Sequence, residues 1–542
     1  MAPFGIAGAN ISSNVWSNMN KAITVALLAV AQSVLLAQTA SRPLLPEAIP
    51  KIWDNEALQS LEVPLTHAEA SARHITADHY YNIPIRRIYR SYPIYAPGHE
   101  PRAYMEWLRG RNPEVVWDYD ASGRTLHSPP LRTPEDWIKA GEIVFSAPIS
   151  WDAFEVDTLR NAIVYGDSGM PVAKDGSMPF QRYVIRKKGQ VEVGDGACAA
   201  CHSRLMANGS VLKGAQGNNP FDRFEAFEEE LQLATDPSQA QSIERERRQQ
   251  LRRVYSVPWM QPDPHAQTYV MPLSEIYKLL KAIPPGLQAR TGTSLLYPPQ
   301  VPDLIGVEHR RYLDHTGLVQ QRSIEDLMRY AALNQGMDRL STFAGFQPAS
   351  EKPDSRGLSD PENLGAGFFS ARYSDEQLYA LALYIYSLVP PRNPNQYGAE
   401  ARRGEIIFQR EGCPACHTPP LYTNNKLTPA GDFIPPPEHL KRYEILPVHV
   451  GTDSRLALGS RRGTGYYKVP SLRGVWYRGP FEHNGSVSTL EDWFDQNRLR
   501  QNYVPTGFAG YGIETRAVKG HEFGLRLSAE DKSALISFLK TL

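Results

Sequence analysis

Cysteine occurs only four times in the 542 residues, and all four lie in C-x-x-C-H motifs: Cys198-Ala199-Ala200-Cys201-His202 and Cys413-Pro414-Ala415-Cys416-His417. None is left for a structural disulfide. Two thiols three positions apart each form a thioether to one porphyrin edge, and the adjacent imidazole then reaches the iron. A zinc site would need the two pairs to converge, yet they lie 215 residues apart and each carries its histidine at the same place. The sequence therefore calls for two covalently bound c-type haems, with His202 and His417 as proximal iron ligands.

The two motifs sit inside an internal repeat. Gly141-Glu142-Ile143-Val144-Phe145 matches Gly404-Glu405-Ile406-Ile407-Phe408, each in a helical stretch ahead of a haem motif. Val301-Pro302-Asp303-Leu304-Ile305-Gly306-Val307 matches Val469-Pro470-Ser471-Leu472-Arg473-Gly474-Val475, and in both copies a histidine follows the first valine by 14 residues, at His315 and His483. Ser374 to Leu388 matches Ser528 to Leu542, each with a serine N-cap, an acidic first turn and apolar residues at helical spacing. The plan is helix, C-x-x-C-H, V-P-x-L loop, histidine-glycine turn, closing helix. It predicts a mainly α chain of two cytochrome c-type haem domains, with an N-terminal extension and loop or hairpin insertions. The copies differ in size: from the G-E-I-x-F phenylalanine to the first cysteine is 53 residues in one and 5 in the other. The first domain is thus enlarged around its haem.

Residues 1–40 read as a signal peptide, with Asn20 and Lys21 before the apolar run Ala22–Ala37 and Met19 as a candidate true start. The run falls short of the roughly 20 residues that span a bilayer, so no anchor is expected after cleavage. Residues 41–135 form the extension, 136–395 the enlarged haem domain and 396–542 the second, with Pro390 to Asn395 as linker. Tyr80 to Asp120 reads as a packing layer over the haem domains. Gln181 to Val193 reads as a β-hairpin, and Glu225 to Arg253 as a charged helix with a solvated face. Basic and acidic residues balance at 58 each, which gives no field for gathering phosphates and argues against a nucleic-acid partner. Haem attachment to C-x-x-C-H takes place outside the bacterial cytoplasm, so export points to a periplasmic or secreted bacterial protein.

The sixth iron ligands are less constrained. All 10 methionines lie at or before Met337, so the second domain has none of its own to offer. His521, in Gly520-His521-Glu522-Phe523-Gly524 and without counterpart in the first copy, is the preferred distal ligand of the second haem, with His483 as alternative. For the first haem an open iron is the sharper expectation, because only an open iron binds peroxide or dioxygen. Near His315, Glu325 and Tyr330 are candidates for proton transfer, and the three together form the catalytic candidate set.

These motifs, with Phe481-Glu482-His483-Asn484-Gly485-Ser486 and Thr489-Leu490-Glu491, resemble the bacterial di-haem cytochrome c peroxidase and MauG superfamily over about residues 136 to 542. The resemblance implies an oxidoreductase in which the C-terminal haem relays electrons to an N-terminal haem that reacts with peroxide or oxygen. Its electrons would come from a small periplasmic electron-transfer protein or a small-molecule donor. The family's methionine ligand falls on Asn497, its inter-haem tryptophan on His315, and its distal glutamine and glutamate near Leu327 and Met337, none of which matches. Calcium, bound by an asparagine in those peroxidases, would meet Gly306 and is not assigned. The long extension and enlarged first domain look partly like the rubber-oxygenase branch, so a rubber-oxygenase-like dioxygenase and a non-enzymatic di-haem electron carrier stand as alternatives.

Overall fold

The computed structural model describes residues 49–152, 162–350, 371–431 and 433–542. The signal segment therefore lies outside the described residues. Among those described, no helix is long and apolar enough to cross a membrane. Among the described residues 37% are helical and 14% lie in strands, so loops carry much of what surrounds the two haem motifs.

Two helix pairs organise the core. Helix α1 (Pro134–Ser146) begins at a Thr133/Asp136 capping box and buries Trp137, Ala140, Val144 and Phe145. It packs on α2 (Asp375–Ser387), whose N-cap Ser374 forms a second capping box with Gln377. Helix α3 (Ala399–Arg410) packs in the same way on α4 (Ala529–Lys540), which Ser528 caps. Each crossing is centred on the glycine of G-E-I-x-F. A Cβ on Gly141 would fall on the carbonyl oxygen of Ala380, and a Cβ on Gly404 on that of Ala534. The phenylalanine that follows fills the matching hollow in each pair: Phe145 meets Tyr384 at 5.1 Å and Phe408 meets Phe538 at 5.3 Å between ring centres.

The extension is built into the first core. Ile52, Trp53, Leu61 and Tyr80 share one apolar cluster with α1 and α2, and Trp53 stacks on Tyr80 at 4.0 Å. Arg86, buried, donates to the carbonyls of Ile149 and Ala371 and so ties the extension to both ends of the domain. A four-stranded antiparallel sheet joins β1 (Ser91–Tyr95), β2 (Ser150–Asp152), β3 (Ser177–Lys187) and β4 (Gln190–Asp195) in the order β1-β3-β4-β2. The expected hairpin is β3–β4, closed at Lys187 and Gln190. The extension adds an edge strand to it, where Pro93 is tolerated because an edge position needs no ladder donor and the register slips there.

The Glu225–Arg253 segment differs from the expectation of one solvated helix. Asp236-Pro237 divides it into two helices, Phe221–Thr235 and Ala240–Tyr255. Arg247 turns inward, 2% exposed, to pair with Glu225 at 3.0 Å and with buried Glu229. Charges at helical spacing here mark a paired buried seam.

Candidate haem sites

The first motif follows β4 directly. Gly196 takes φ 74°, a turn that favours glycine, and Cys198–Cys201 then forms a single helical turn. The Cys201 thiol donates to Gln288 Oε1 at 2.8 Å, and burial pushes both thiols up to about 12. His202 Nδ1 donates to the carbonyl of Pro302 at 3.0 Å. That bond fixes the proton on Nδ1 and leaves Nε2 with a free lone pair, the state a metal ligand requires. Burial lowers the imidazole to about 4, so it is neutral at pH 7.

The second motif repeats this arrangement. His417 Nδ1 donates to the carbonyl of Tyr422 at 3.2 Å, with the carbonyl of Pro470 as a second backbone acceptor. The V-P-x-L loops thus orient the proximal histidines in both copies, a role the spacing alone did not reveal. Arg310 and Arg478 complete each loop, both nine residues beyond its first valine. Arg310 donates to the carbonyl of Asp303 and Arg478 to that of Ser471, the equivalent residue. Their common offset within the repeat was the signal that could have found them.

Facing His417 is His521. The ring centres are 6.4 Å apart and the planes are inclined by 59°. With metal–imidazole bonds of about 2.0–2.1 Å, and about 1.1 Å from nitrogen to ring centre, two rings sharing one metal stand about 6.3 Å apart. His521 Nδ1 is buried without a hydrogen-bond partner. Trp493 packs edge-on against the ring at 5.3 Å and Phe523 at 5.6 Å. Burial first, then the field of His417, lowers His521 to about 4. Arg498, fully buried, donates to the carbonyls of Val518 and His521, both at 2.8 Å, and so fixes the loop. The donor sets, two thiols and one oriented imidazole at each motif with a second imidazole opposite His417, fit covalently attached haem.

His483, the alternative ligand, has both ring nitrogens engaged: Nδ1 with Thr452 Oγ1 at 3.3 Å and Nε2 with Tyr467 OH at 3.1 Å. Among the described residues no aromatic or imidazole ring contacts that of His202.

The structure brings His315 and Tyr330 together around Asp314 and leaves Glu325 apart. His315 Nε2 donates to the carbonyl of Gln300 at 2.6 Å, and burial lowers the imidazole to about 3. Tyr330 donates to Asp314 Oδ2 at 2.8 Å, where Arg290 and Arg462 also converge at 2.9 and 2.7 Å. Burial alone would raise the Asp314 carboxyl, but the two guanidinium groups outweigh it and hold it well below the usual range. Glu325 instead acts on Tyr379 and Tyr386 of α2, away from this cluster.

The two copies also grip each other reciprocally. Gln300 N–H donates to the His483 carbonyl at 2.7 Å, and Lys468 N–H, at the equivalent position, donates to the His315 carbonyl at 3.0 Å. Tyr477 adds a bond to Asp303 at 2.8 Å, joining the second V-P-x-L segment to the first.

No family model matches the chain. Methylamine utilization protein MauG of Methylorubrum extorquens is 27% identical over 225 residues, covering 39% of this chain and 54% of that protein. Cytochrome-c peroxidase IdrP1 of Denitromonas iodatirespirans is 32% identical over 114 residues, 17% of this chain and 30% of the relative. The IdrP2 peroxidase of the same organism is 30% identical over 158 residues, 26% and 38% of the two chains. The chain thus spans about half the length, or less, of the curated relatives it matches. Among solved structures, hydrazine synthase of Kuenenia stuttgartiensis matches 48% of this chain and 79% of its own, at 16% identity and TM-score 0.25. A MauG-like protein associated with microbial copper homeostasis matches 45% and 73%, at 18% identity and TM-score 0.27.

Proposed function

The chain belongs with the di-haem cytochrome c peroxidase and MauG superfamily, and from that premise we propose that it is a peroxidase-like c-type oxidoreductase with two unequal haems. Cys198, Cys201 and His202 hold the first, and Cys413, Cys416 and His417 the second, in two cytochrome c-type domains that share one plan around the α1–α2 and α3–α4 pairs. The observation that carries this reading is the 6.4 Å facing of His417 and His521, while among the described residues no ring faces His202 in this way. Bound haem supplies one-electron chemistry at both sites, and reaction with peroxide or dioxygen where a coordination position stays open.

The chain's own residues divide the labour accordingly. His417 and His521 would hold the iron of the second site between them and leave exogenous ligands no place there, which would suit that site to relaying electrons. Two imidazoles also leave its potential below that of a histidine–methionine pair. Pro302 holds the His202 ring with its proton on Nδ1, so Nε2 stays available to the first site. His315 and Tyr330 fix the junction between the two copies through Gln300 and Asp314. Glu325 takes no part in this reading. Thioether attachment takes place outside the bacterial cytoplasm, which supports a periplasmic protein that draws electrons from a small carrier and takes peroxide as oxidant.

Electron paramagnetic resonance and resonance Raman spectra of the purified protein, before and after peroxide, test this. One low-spin and one high-spin ferric haem are expected, with only the high-spin species reacting. Two low-spin haems inert to peroxide would instead make the protein an electron carrier.

A further inference from the structure

Lys468 belongs to the second copy but sits against the first. It closes the short strand β6 (Tyr466–Lys468), which pairs with β5 (Leu427–Pro429), and its N–H is bonded to the His315 carbonyl at 3.0 Å. The half-buried ammonium group lies in the fields of Arg310, Arg290 and Arg478, with Asp314 as the carboxylate acting against them. Asp314 is already held by Arg290, Arg462 and Tyr330. Asp303, a carboxylate acting on Arg310, receives the Tyr477 hydroxyl. No side-chain hydrogen bond joins Lys468 to any described residue, and Arg290 Nε is buried without a partner.

Cations gathered where water reaches them only in part are unfavourable unless an anion meets them. Two N–H donors of opposite copies, Lys468 Nζ and Arg290 Nε, are therefore left to an anion that the protein's own carboxylates do not supply. The location narrows its identity. Arg290 acts on both His202 and Cys201, and Arg310 on His202, so the cationic group adjoins the first motif. The equivalent residue of the first copy is Gln300, neutral, with its amide engaged by Gln216 and Pro480. The second site has no counterpart of Lys468.

We propose that Lys468 and Arg290 bind a carboxylate of the porphyrin attached at Cys198 and Cys201, so that the second domain supplies a charge that sets the potential of the first haem. The proposal rests on the di-haem reading above. A cation beside the porphyrin favours the reduced iron, so losing it lowers the first potential.

Spectroelectrochemical titration of the full-length holoprotein, with intact mass to count covalent haems, provides the test. Lys468→Gln should retain two haems, lower the potential of the high-spin haem, move that of the low-spin haem less, and shift the porphyrin carboxylate bending band in the Raman spectrum. Lys468→Arg should restore both readouts. Unchanged potentials and an unchanged band in Lys468→Gln would overturn the proposal. So would a wild-type potential that falls as chloride replaces an inert anion at constant ionic strength, which would mean that a free anion occupies the site. That chloride titration needs no variant and decides the matter alone if Lys468→Gln does not accumulate; an invariant potential supports the porphyrin carboxylate. A chain without covalent haem overturns the di-haem reading itself, and the proposal with it.

Discussion

Gly404 lies against the carbonyl oxygen of Ala534 so closely that no methyl group fits between the two helices. Gly404→Ala should therefore destabilise the second domain by about 1–3 kcal/mol, because overpacking outweighs the better helix propensity of alanine. Thermal unfolding followed by circular dichroism checks this. Gly166→Ala, in a helix with nothing within 4 Å of the added methyl, serves as the control and should raise stability by up to about 1 kcal/mol.

Asp314 answers two guanidinium groups, so Asp314→Asn should cost about 3–5 kcal/mol in urea unfolding, the scale for leaving buried charge unpaired. The pH dependence follows in sign. A carboxyl held below its ordinary value stabilises the fold at every pH above the unfolded value of about 3.9, and that stability drains as pH falls through this range. Asp453, held at about 2 by Arg455 and the neighbouring His483 against the upward pull of burial, acts in the same direction. Wild-type stability should fall steeply below about pH 4, and less steeply in Asp314→Asn.

Arg498 holds the loop that delivers His521, through the carbonyls of Val518 and His521. Arg498→Met leaves these carbonyls, and that of Trp493, without their donor, at about 1–3 kcal/mol. The low-spin fraction of the second haem should drop with it, measured by electron paramagnetic resonance at constant haem content.

His483 provides the contrast. Its ring is held by Thr452 and Tyr467, so His483→Gln should leave the low-spin signal unchanged while lowering thermal stability. A changed haem spectrum would show that this ring, and not His521, reaches the iron.

The sequence made legible what local chemistry dictates: the cysteine pairs, the serine caps of α2 and α4, and the V-P-x-L loops whose matching offsets exposed the repeat. It hid what depends on distant pairing. Nothing in Ser91–Tyr95 announces that it adds an edge to a hairpin almost 90 residues later. Arg247 and Arg498 look like surface charges until their partners, Glu229 and the Val518 carbonyl, are seen inside. Proximity in sequence groups Glu325 with His315 and Tyr330, yet the helix Ile324–Asn334 turns it toward α2.

The central claim is that His417 and His521 share one iron, and near-infrared magnetic circular dichroism of wild type and His521→Ala tests it most directly. The charge-transfer band of a bis-imidazole ferric haem should be present in wild type and disappear in the variant, with both haems still covalently attached. A wild type without that band, or a variant that keeps it unchanged, would contradict the account.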